Sequence, residues 1–303
     1  MDKYTVLEEL FSQYQIQYQR EVPLKEYTTF KIGGNAAMMV IPDSREKFRR
    51  TIFECVQNNV NYFVLGKGSN LLVSDHGYDG VVICMGDQFQ KIELIGEDKI
   101  LCQAGASLAS VCKFAFEHSL TGLEFAFGIP GSIGGAAYMN AGAYDGEMKD
   151  VIYRCEHVTT QGAFGIYDQG QLDFSYRHSA YTDSGYCITD VYLQLHKGDP
   201  QAIKARMMEL LERRKTKQPL EYPSAGSTFK RPEGAYASAL IEECGLKGKT
   251  IGGAQVSEKH SGFLINTGNA SCQDVKDLIE YVQQVVFERT GFHLDCEVKW
   301  IGE

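Results

Sequence analysis

The stretch Gly128–Tyr144, reading Gly-Ile-Pro-Gly-Ser-Ile-Gly-Gly-Ala-Ala-Tyr-Met-Asn-Ala-Gly-Ala-Tyr, constrains this chain more than any other. It places Gly128, Gly131, Gly134, Gly135 and Gly142 in one short run with almost no bulk or charge between them. Glycine lacks the Cβ that forbids positive φ, so the main chain can turn sharply and approach a ligand closely. Successive exposed N–H groups in such turns form concave anion sites, above all for phosphate. Two readings compete: a cradle for a phosphate-bearing ligand, or a tight crossover in a buried sheet. The density of small residues favours the cradle.

A second small-residue turn, Gly66-Lys-Gly-Ser-Asn70, lies between the apolar runs Asn61–Leu65 and Leu71–Val73. It is not a Rossmann fingerprint, because Leu71 takes the third glycine position and no helix is expected after it. Nor is it a Walker A loop, since the position that needs glycine is Asn61. Two turns that each clasp phosphate oxygens point to an extended diphosphate. A dinucleotide of the FAD type, held outside a Rossmann frame, satisfies both.

The 303 residues allow two domains or one large one. Asp43-Ser-Arg-Glu46 starts a helix carrying Phe48, Ile52, Cys55 and Val56 at helical spacing. Strands are expected at Val81–Met85, Ile92–Ile95, Ile100–Ala104 and Cys187–Leu195. A helix with Leu108, Val111, Cys112, Ala115 and Phe116 on one face leads into the glycine run. His196-Lys-Gly-Asp-Pro200 is the domain boundary, and Pro200 suits the first turn of a helix bearing Ile203, Met207, Leu210 and Leu211. Ala237, Leu240, Ile241 and Cys244 mark another helix, closed by Gly245. Ser271-Cys-Gln-Asp274 opens a third, with Val275, Leu278, Ile279, Val282, Val285 and Val286 behind it. Leu294–Trp300 alternates as a final strand, with Asp295, Glu297 and Lys299 on its polar face. The mixture reads as α+β in two parts, residues 1–195, themselves in two lobes split near 80, and residues 196–303.

Nothing in the sequence has the length and apolarity of a membrane span, and the first residues lack a basic stretch followed by an apolar core. A cytoplasmic location with reduced cysteines is the expectation, since nine cysteines without a C-x-x-C pair fit neither a small secreted scaffold nor a zinc ribbon. The net charge of −9 argues against nucleic acid as a partner. Between His196 and Gly234, however, nine Lys or Arg stand against five acids. That island fits either a small anionic ligand or a solvated helix face.

Metal and serine-hydrolase motifs are missing from the sequence, with no G-x-S-x-G, no H-E-x-x-H and no close histidine pair. Three polar groups are candidates for chemistry. Arg177 follows two aromatics in Phe174-Ser-Tyr-Arg177; Ser227 sits in the small-residue turn Ser224–Lys230; Glu297 stands on the last strand. Each also reads as an ordinary surface or turn residue.

Thr28–Gly34, Gly66–Leu72, Gly122–Gly135, Met139–Gly142, Ser175–Arg177, Ala225–Lys230, Ile251–Ala254 and Glu297-Val298 together resemble the UDP-N-acetylenolpyruvoylglucosamine reductase family, in order and over nearly the whole chain. The resemblance implies an FAD-binding fold of the vanillyl-alcohol oxidase (PCMH) type in two lobes, followed by a smaller α+β substrate-binding domain. It implies a flavoenzyme of peptidoglycan synthesis with non-covalent FAD and with NADPH. Hydride passes from flavin N5 to the enolpyruvyl methylene carbon of UDP-GlcNAc enolpyruvate, giving UDP-N-acetylmuramate. Only about ten residues separate Arg177 from the following strand, which resembles the type II members that lack an insertion there.

On this resemblance Arg177 holds the substrate carboxylate as charge develops, Ser227 gives the proton to the α-carbon, and Glu297 polarises the developing enolate. The cofactor residues are Gly66, Lys67, Gly68, Ser69, Asn70, Gly128, Ile129, Gly131, Ser132, Gly134, Asn140, Gly142 and Ile188. Tyr176, Arg214, Lys217, Lys230 and His260 are the substrate residues. No metal, nucleic acid or membrane is implied, and a monomer or weak oligomer is expected. One departure is Arg231, which precedes Pro232 where the family usually has Asn. Two rivals remain: an oxygen-using FAD oxidase of the same fold, and a non-catalytic sugar-nucleotide or flavin-binding module. Covalent flavin, common in the oxidases, needs a His or Cys in the flavin loops, and neither glycine segment contains one.

Overall fold

Apolar spacing and caps set most of the helices in the computed structural model, which describes residues 2–302. The chain divides into two units, one of Met1–Arg20, Met38–Lys67 and Gly80–Arg213, the other of Glu21–Ala37, Gly68–Asp79 and Arg214–Glu303.

In the first unit, α1 (Lys3–Gln13) buries Tyr4, Leu7 and Phe11. The next helix, α2 (Arg45–Gln57), is capped by Ser44, whose Oγ accepts from the Lys47 amide. It buries Phe48, Ile52 and Cys55 as their spacing requires, while Val56 stays exposed. Tyr62–Leu65 and Tyr78–Cys84 pair in parallel in a four-stranded sheet. A five-stranded antiparallel sheet follows, ordered Phe164–Asp168, Ile152–Val158, Cys187–Gln194, Lys99–Gln103 and Ile92–Ile95. The helix α3 (Leu108–Glu117) buries Leu108, Val111, Cys112 and Ala115.

The glycine run holds a helix that its composition hides, α4 (Ile133–Tyr138), with Ser132 as N-cap. It packs on the strand Cys187–Gln194 and is laced to the segment before α3. Leu108 N–H donates to the Gly131 carbonyl at 3.0 Å, Ile133 N–H to Ala106 at 2.8 Å and Gly134 N–H to Ala104 at 2.9 Å. A Cβ on Gly134 would lie 2.6 Å from that of Ala104, so glycine there serves packing. Between Arg177 and the strand from Cys187 only α5 (Ala180–Ser184) intervenes.

The last helix to begin in the first unit is α6 (Pro200–Lys217), and Asp199 caps it by accepting from the Gln201 and Ala202 amides. Ile203, Met207, Leu210 and Arg214 form its buried stripe. Part of the basic island is a salt-bridged outer face: Arg206 and Arg213 both pair with Glu209, at 2.7 and 2.5 Å.

In the second unit, α7 (Ala237–Glu243) and α8 (Cys272–Thr290) cover a sheet ordered Ser224–Ser227, Phe263–Asn266, Ala254–Val256 and Thr250–Ile251. Its core joins Phe30, Ile32 and Leu72 to Leu240, Ile241, Leu264, Leu278, Val282 and Val298. The capping box of α8 forms as read: Ser271 Oγ accepts from the Asp274 amide at 3.0 Å, and Asp274 accepts from the Ser271 amide at 3.0 Å.

This grouping differs from one cut after residue 195. Glu21–Ala37 and Gly68–Asp79 join the C-terminal part because Lys299–Ile301 runs parallel to Leu71–Val73. Thr29 Oγ1 also donates to the Ser224 carbonyl at 2.7 Å and Asn266 Nδ2 to the Phe30 carbonyl at 3.1 Å. The alternating run Leu294–Trp300 is not one strand either. Only Lys299–Ile301 is a strand, and Cys296 makes a single bridge to Phe229. The burial alternation holds only in part: Leu294 and Val298 are buried and Asp295 and Lys299 exposed, but Cys296 and Glu297 are both half-buried.

Candidate active site

In the first unit the two glycine turns meet. A Cβ on Gly66 would lie 2.5 Å from Ser132 Oγ, so only glycine fits where the first turn touches the start of α4. Ser132 is buried and its Oγ accepts from the Gly135 amide at 3.2 Å. Gly128 and Gly131 adopt φ of 86° and 148°, conformations that glycine alone takes freely. Ile129 is half-buried, Lys67 is exposed, and Ile188 is buried opposite His157 in the central sheet. Gly142 is enforced differently: its Cβ would crowd the Gly146 carbonyl oxygen at 2.8 Å and Glu147 Cβ at 2.9 Å.

Arg177 stands at the tip of a two-residue hairpin closed by Ser175 and His178, with φ of 56°. Its guanidinium lies 5.1 Å from the Tyr176 ring centroid, and Nη2 donates to the Gly142 carbonyl at 3.3 Å. Tyr176, the aromatic beside it, therefore lies against the cation, a contact that the sequence order alone leaves open. Tyr176 itself is half-exposed. Asn140 is fully buried, and its side-chain amide is bonded to Glu147, Ser175 and Lys149.

In the second unit, Gly68 packs on Tyr27 and Thr28, where a Cβ would collide with the Tyr27 carbonyl oxygen. Thr28 is buried beside that turn, and its Oγ1 has no hydrogen-bond partner among the described residues. A buried hydroxyl without a partner at a glycine turn awaits a polar ligand atom. Ser69 and Asn70 are half-buried, and Asn70 Nδ2 donates to the Glu297 carbonyl at 3.2 Å. In the first unit, the enforced closeness at Gly66 and the positive φ of Gly128 and Gly131 suit a ligand rich in phosphate oxygens, so the residues present there fit FAD.

Ser227 is not on a free turn. It ends a bulged strand, since Ser224 faces Ile265 and Ser227 faces Phe263, one residue more on its own side. Gly226, at φ 78°, absorbs the extra residue. The bulge leaves Ser227 exposed between buried Ala225 and Thr228. Glu297 N–H donates to the Thr228 carbonyl at 2.8 Å, and Lys230 N–H to the Asp295 carbonyl at 2.8 Å. The chain thus carries Thr228, the neighbour of Ser227, alongside Glu297 and Lys230 alongside Asp295. Arg177 belongs to the first unit, and Ser227 and Glu297 to the second.

Arg214 is buried and Lys217 exposed, one turn apart at the end of α6. His260 is half-buried against Phe263, and burial holds its imidazole below its usual range. Its Nδ1 accepts from the Gly262 amide at 3.1 Å, which places the ring proton on Nε2. All nine cysteines are free thiols, and burial pushes those of Cys55 and Cys187 up to about 12, far from a reactive thiolate. Among the described residues no helix is long and apolar enough to cross a membrane.

Comparison with known proteins defines the class. Residues 36–164 match an FAD binding domain, and residues 218–301 match the C-terminal domain of UDP-N-acetylenolpyruvoylglucosamine reductase. The protein is an FAD-dependent oxidoreductase with an FAD-binding part and a C-terminal α+β domain. A protein of Clostridium novyi named UDP-N-acetylenolpyruvoylglucosamine reductase is 48% identical over 287 residues, 95% of this chain and 93% of that one. One of the same name from Caldanaerobacter subterraneus is 49% identical over 281 residues, 93% of this chain and 92% of its own. The crystal structure of the Thermus caldophilus reductase (MurB) superposes with a TM-score of 0.81 at 36% identity, covering 95% of this chain and 99% of that one. The chain belongs to the UDP-N-acetylenolpyruvoylglucosamine reductase family.

Proposed function

We propose that this chain reduces UDP-GlcNAc enolpyruvate to UDP-N-acetylmuramate with electrons from NADPH, in the cytoplasm, as a step of peptidoglycan assembly. The observation that carries the reading is the bond from Glu297 N–H to the Thr228 carbonyl, which sets Thr228, the neighbour of Ser227, beside Glu297 on adjoining chain segments. Bound FAD supplies the hydride that ends on the enolpyruvyl methylene carbon. Gly66, Lys67, Gly68, Ser69, Asn70, Gly128, Gly131 and Ser132 are the residues to hold it.

The protein's own part is to manage charge and one proton. The carbon next to the ether oxygen gains negative charge as the methylene is reduced, and that charge spreads into the adjoining carboxylate. Arg177 offers a forked guanidinium donor to that carboxylate. The exposed Ser227 hydroxyl gives its proton to the α-carbon, which completes the two-electron reduction of the double bond. Glu297 polarises the developing enolate. Arg214, Lys217 and Lys230 supply positive charge for the UDP diphosphate, and His260 presents a neutral Nε2–H donor to the substrate.

Two measurements on the purified holoprotein test the reading. Under anaerobic conditions NADPH oxidation should go beyond one equivalent per bound flavin only when UDP-GlcNAc enolpyruvate is present, and acid should release the flavin quantitatively. Flavin that stays with the precipitated protein, or turnover that needs oxygen instead of the enolpyruvyl sugar, would favour the oxidase.

A further inference from the structure

The bonds around Asn140 give a residue of the glycine run a purpose other than holding cofactor. Its side-chain amide is fully buried and wholly engaged. Nδ2 donates to Glu147 Oε2 at 2.6 Å and to the Ser175 carbonyl at 2.9 Å, and Oδ1 accepts from the Lys149 amide at 2.9 Å. Both N–H groups are used, so no side-chain donor remains for a ligand. The bond to Glu147 is charge-assisted, and Glu147 is itself paired with Lys149 Nζ at 2.5 Å. At φ 41° the backbone of Asn140 is in the left-handed region, a conformation the surrounding bonds must maintain.

What the amide grips is the hairpin that presents Arg177. Ser175 and His178 exchange two main-chain hydrogen bonds, each 3.2 Å, and leave Tyr176 and Arg177 as the tip. Asn140 holds one leg at the Ser175 carbonyl, and Ser179 Oγ holds the other by donating to the Tyr138 carbonyl at 2.8 Å. The guanidinium reaches back to the Gly142 carbonyl. Three bonds thus tie the hairpin to residues 138–142, and of these only that from Asn140 comes from a side chain of the glycine run itself.

We propose that Asn140 is a positioning residue for Arg177, fixing the hairpin against the glycine run without contacting the cofactor through its side chain. This rests on the role given above to Arg177. A misplacement of about 1 Å at such a group costs on the order of a hundredfold in rate.

The test is a double-mutant cycle on the FAD-loaded protein with Asn140→Gly, Arg177→Ala and both together. Glycine adopts the required positive φ without strain, so the change removes the amide and little else. Asn140→Gly should retain FAD through gel filtration and accept electrons from NADPH within about twofold of the parent rate. Its reoxidation by UDP-GlcNAc enolpyruvate should slow by roughly ten- to a hundredfold. In the Arg177→Ala background the same substitution should add less than about twofold. Additive losses would overturn the inference while leaving Arg177 its role. Loss of flavin, or equal slowing of both half-reactions by Asn140→Gly, would also overturn it, making Asn140 a cofactor-site or folding residue. Were Arg177→Ala alone without effect, the proposed role of Arg177 would fall, and the inference with it.

Discussion

The side-chain amide of Asn70 donates to the main-chain carbonyl of Glu297 at 3.2 Å, across 227 positions of sequence. The carbonyl of Asn70 in turn accepts from the Lys299 amide at 3.0 Å. From there Leu71–Val73 and Lys299–Ile301 continue side by side as parallel strands. A turn assigned to the cofactor and an acid assigned to the substrate are therefore one piece of structure, and neither can shift without the other.

Asn70→Ala should accordingly lower stability by about 1 kcal/mol, the net worth of one partly buried hydrogen bond. Asn70→Asp should cost more, because it sets a carboxylate against the Glu297 carbonyl in place of a donor. Urea unfolding reads both. Equal midpoints for the parent and the two variants would show that the Asn70–Glu297 bond does not hold the segments together.

Gly66 and Gly170 are both glycines but are not equivalent. A methyl group at Gly66 meets Ser132 Oγ at 2.5 Å, whereas nothing lies within 4 Å of one at Gly170. Gly66→Ala should destabilise by about 1–3 kcal/mol and weaken retention of FAD, as overpacking at the junction of the two turns requires. Gly170→Ala should leave the melting temperature and bound flavin as they are. A Gly66→Ala protein with full flavin and parental stability would contradict the junction.

Stability should fall on mild acidification because of His157. The ring is buried among Tyr167, Tyr181 and Tyr186, with Nδ1 3.1 Å from Tyr181 Oη and bare Gly165 opposite on the neighbouring strand. Burial holds its imidazole below the ordinary 6.5. In the window between that depressed value and 6.5 the unfolded chain binds a proton that the folded protein refuses. The contribution is therefore complete above 6.5 and is lost as pH drops toward the folded value. His260, lowered by burial, acts in the same direction. Asp274 and Glu156, held below the ordinary carboxylate range by their hydrogen bonds, titrate lower still. The urea midpoint should decline from about pH 7 to pH 5, and the decline should be shallower in His157→Phe. An unchanged slope in that variant would remove His157 from the account.

The readable parts of the sequence were those where one local rule decides. Ser44, Pro200 and the Ser271–Asp274 box mark helix starts because capping is settled within four residues. The helix α4 was hidden because three of its six residues, Gly134, Gly135 and Tyr138, argue against helix; contacts with Ala104 and Ala106 impose it. The unit boundaries were hidden for a similar reason, since only the pairing of Leu71–Val73 with Lys299–Ile301 sends residues 68–79 to the C-terminal part. The candidate site residues rest on residue types and their order. What could not be read was the use of each atom. Asn140 stands in a motif among glycines, yet its amide faces Glu147 and Ser175; a non-glycine residue between Met139 and Ala-Gly142 was the signal that something other than close approach was needed there. Ser227 gains its exposure from a bulge, which depends on the register with Phe263 and not on its neighbours alone.

The most direct measurement is the second half-reaction, observed by itself. Holoprotein reduced under anaerobic conditions is mixed with UDP-GlcNAc enolpyruvate, and the visible flavin absorption is followed together with the sugar product. The account predicts full return of oxidised flavin and one equivalent of UDP-N-acetylmuramate. In Ser227→Ala the reduction by NADPH should persist while this step slows on the order of a hundredfold or more, as loss of a positioned proton donor requires. Flavin that remains reduced in the presence of the enolpyruvyl sugar, and returns only when oxygen is admitted, would contradict the proposed reaction.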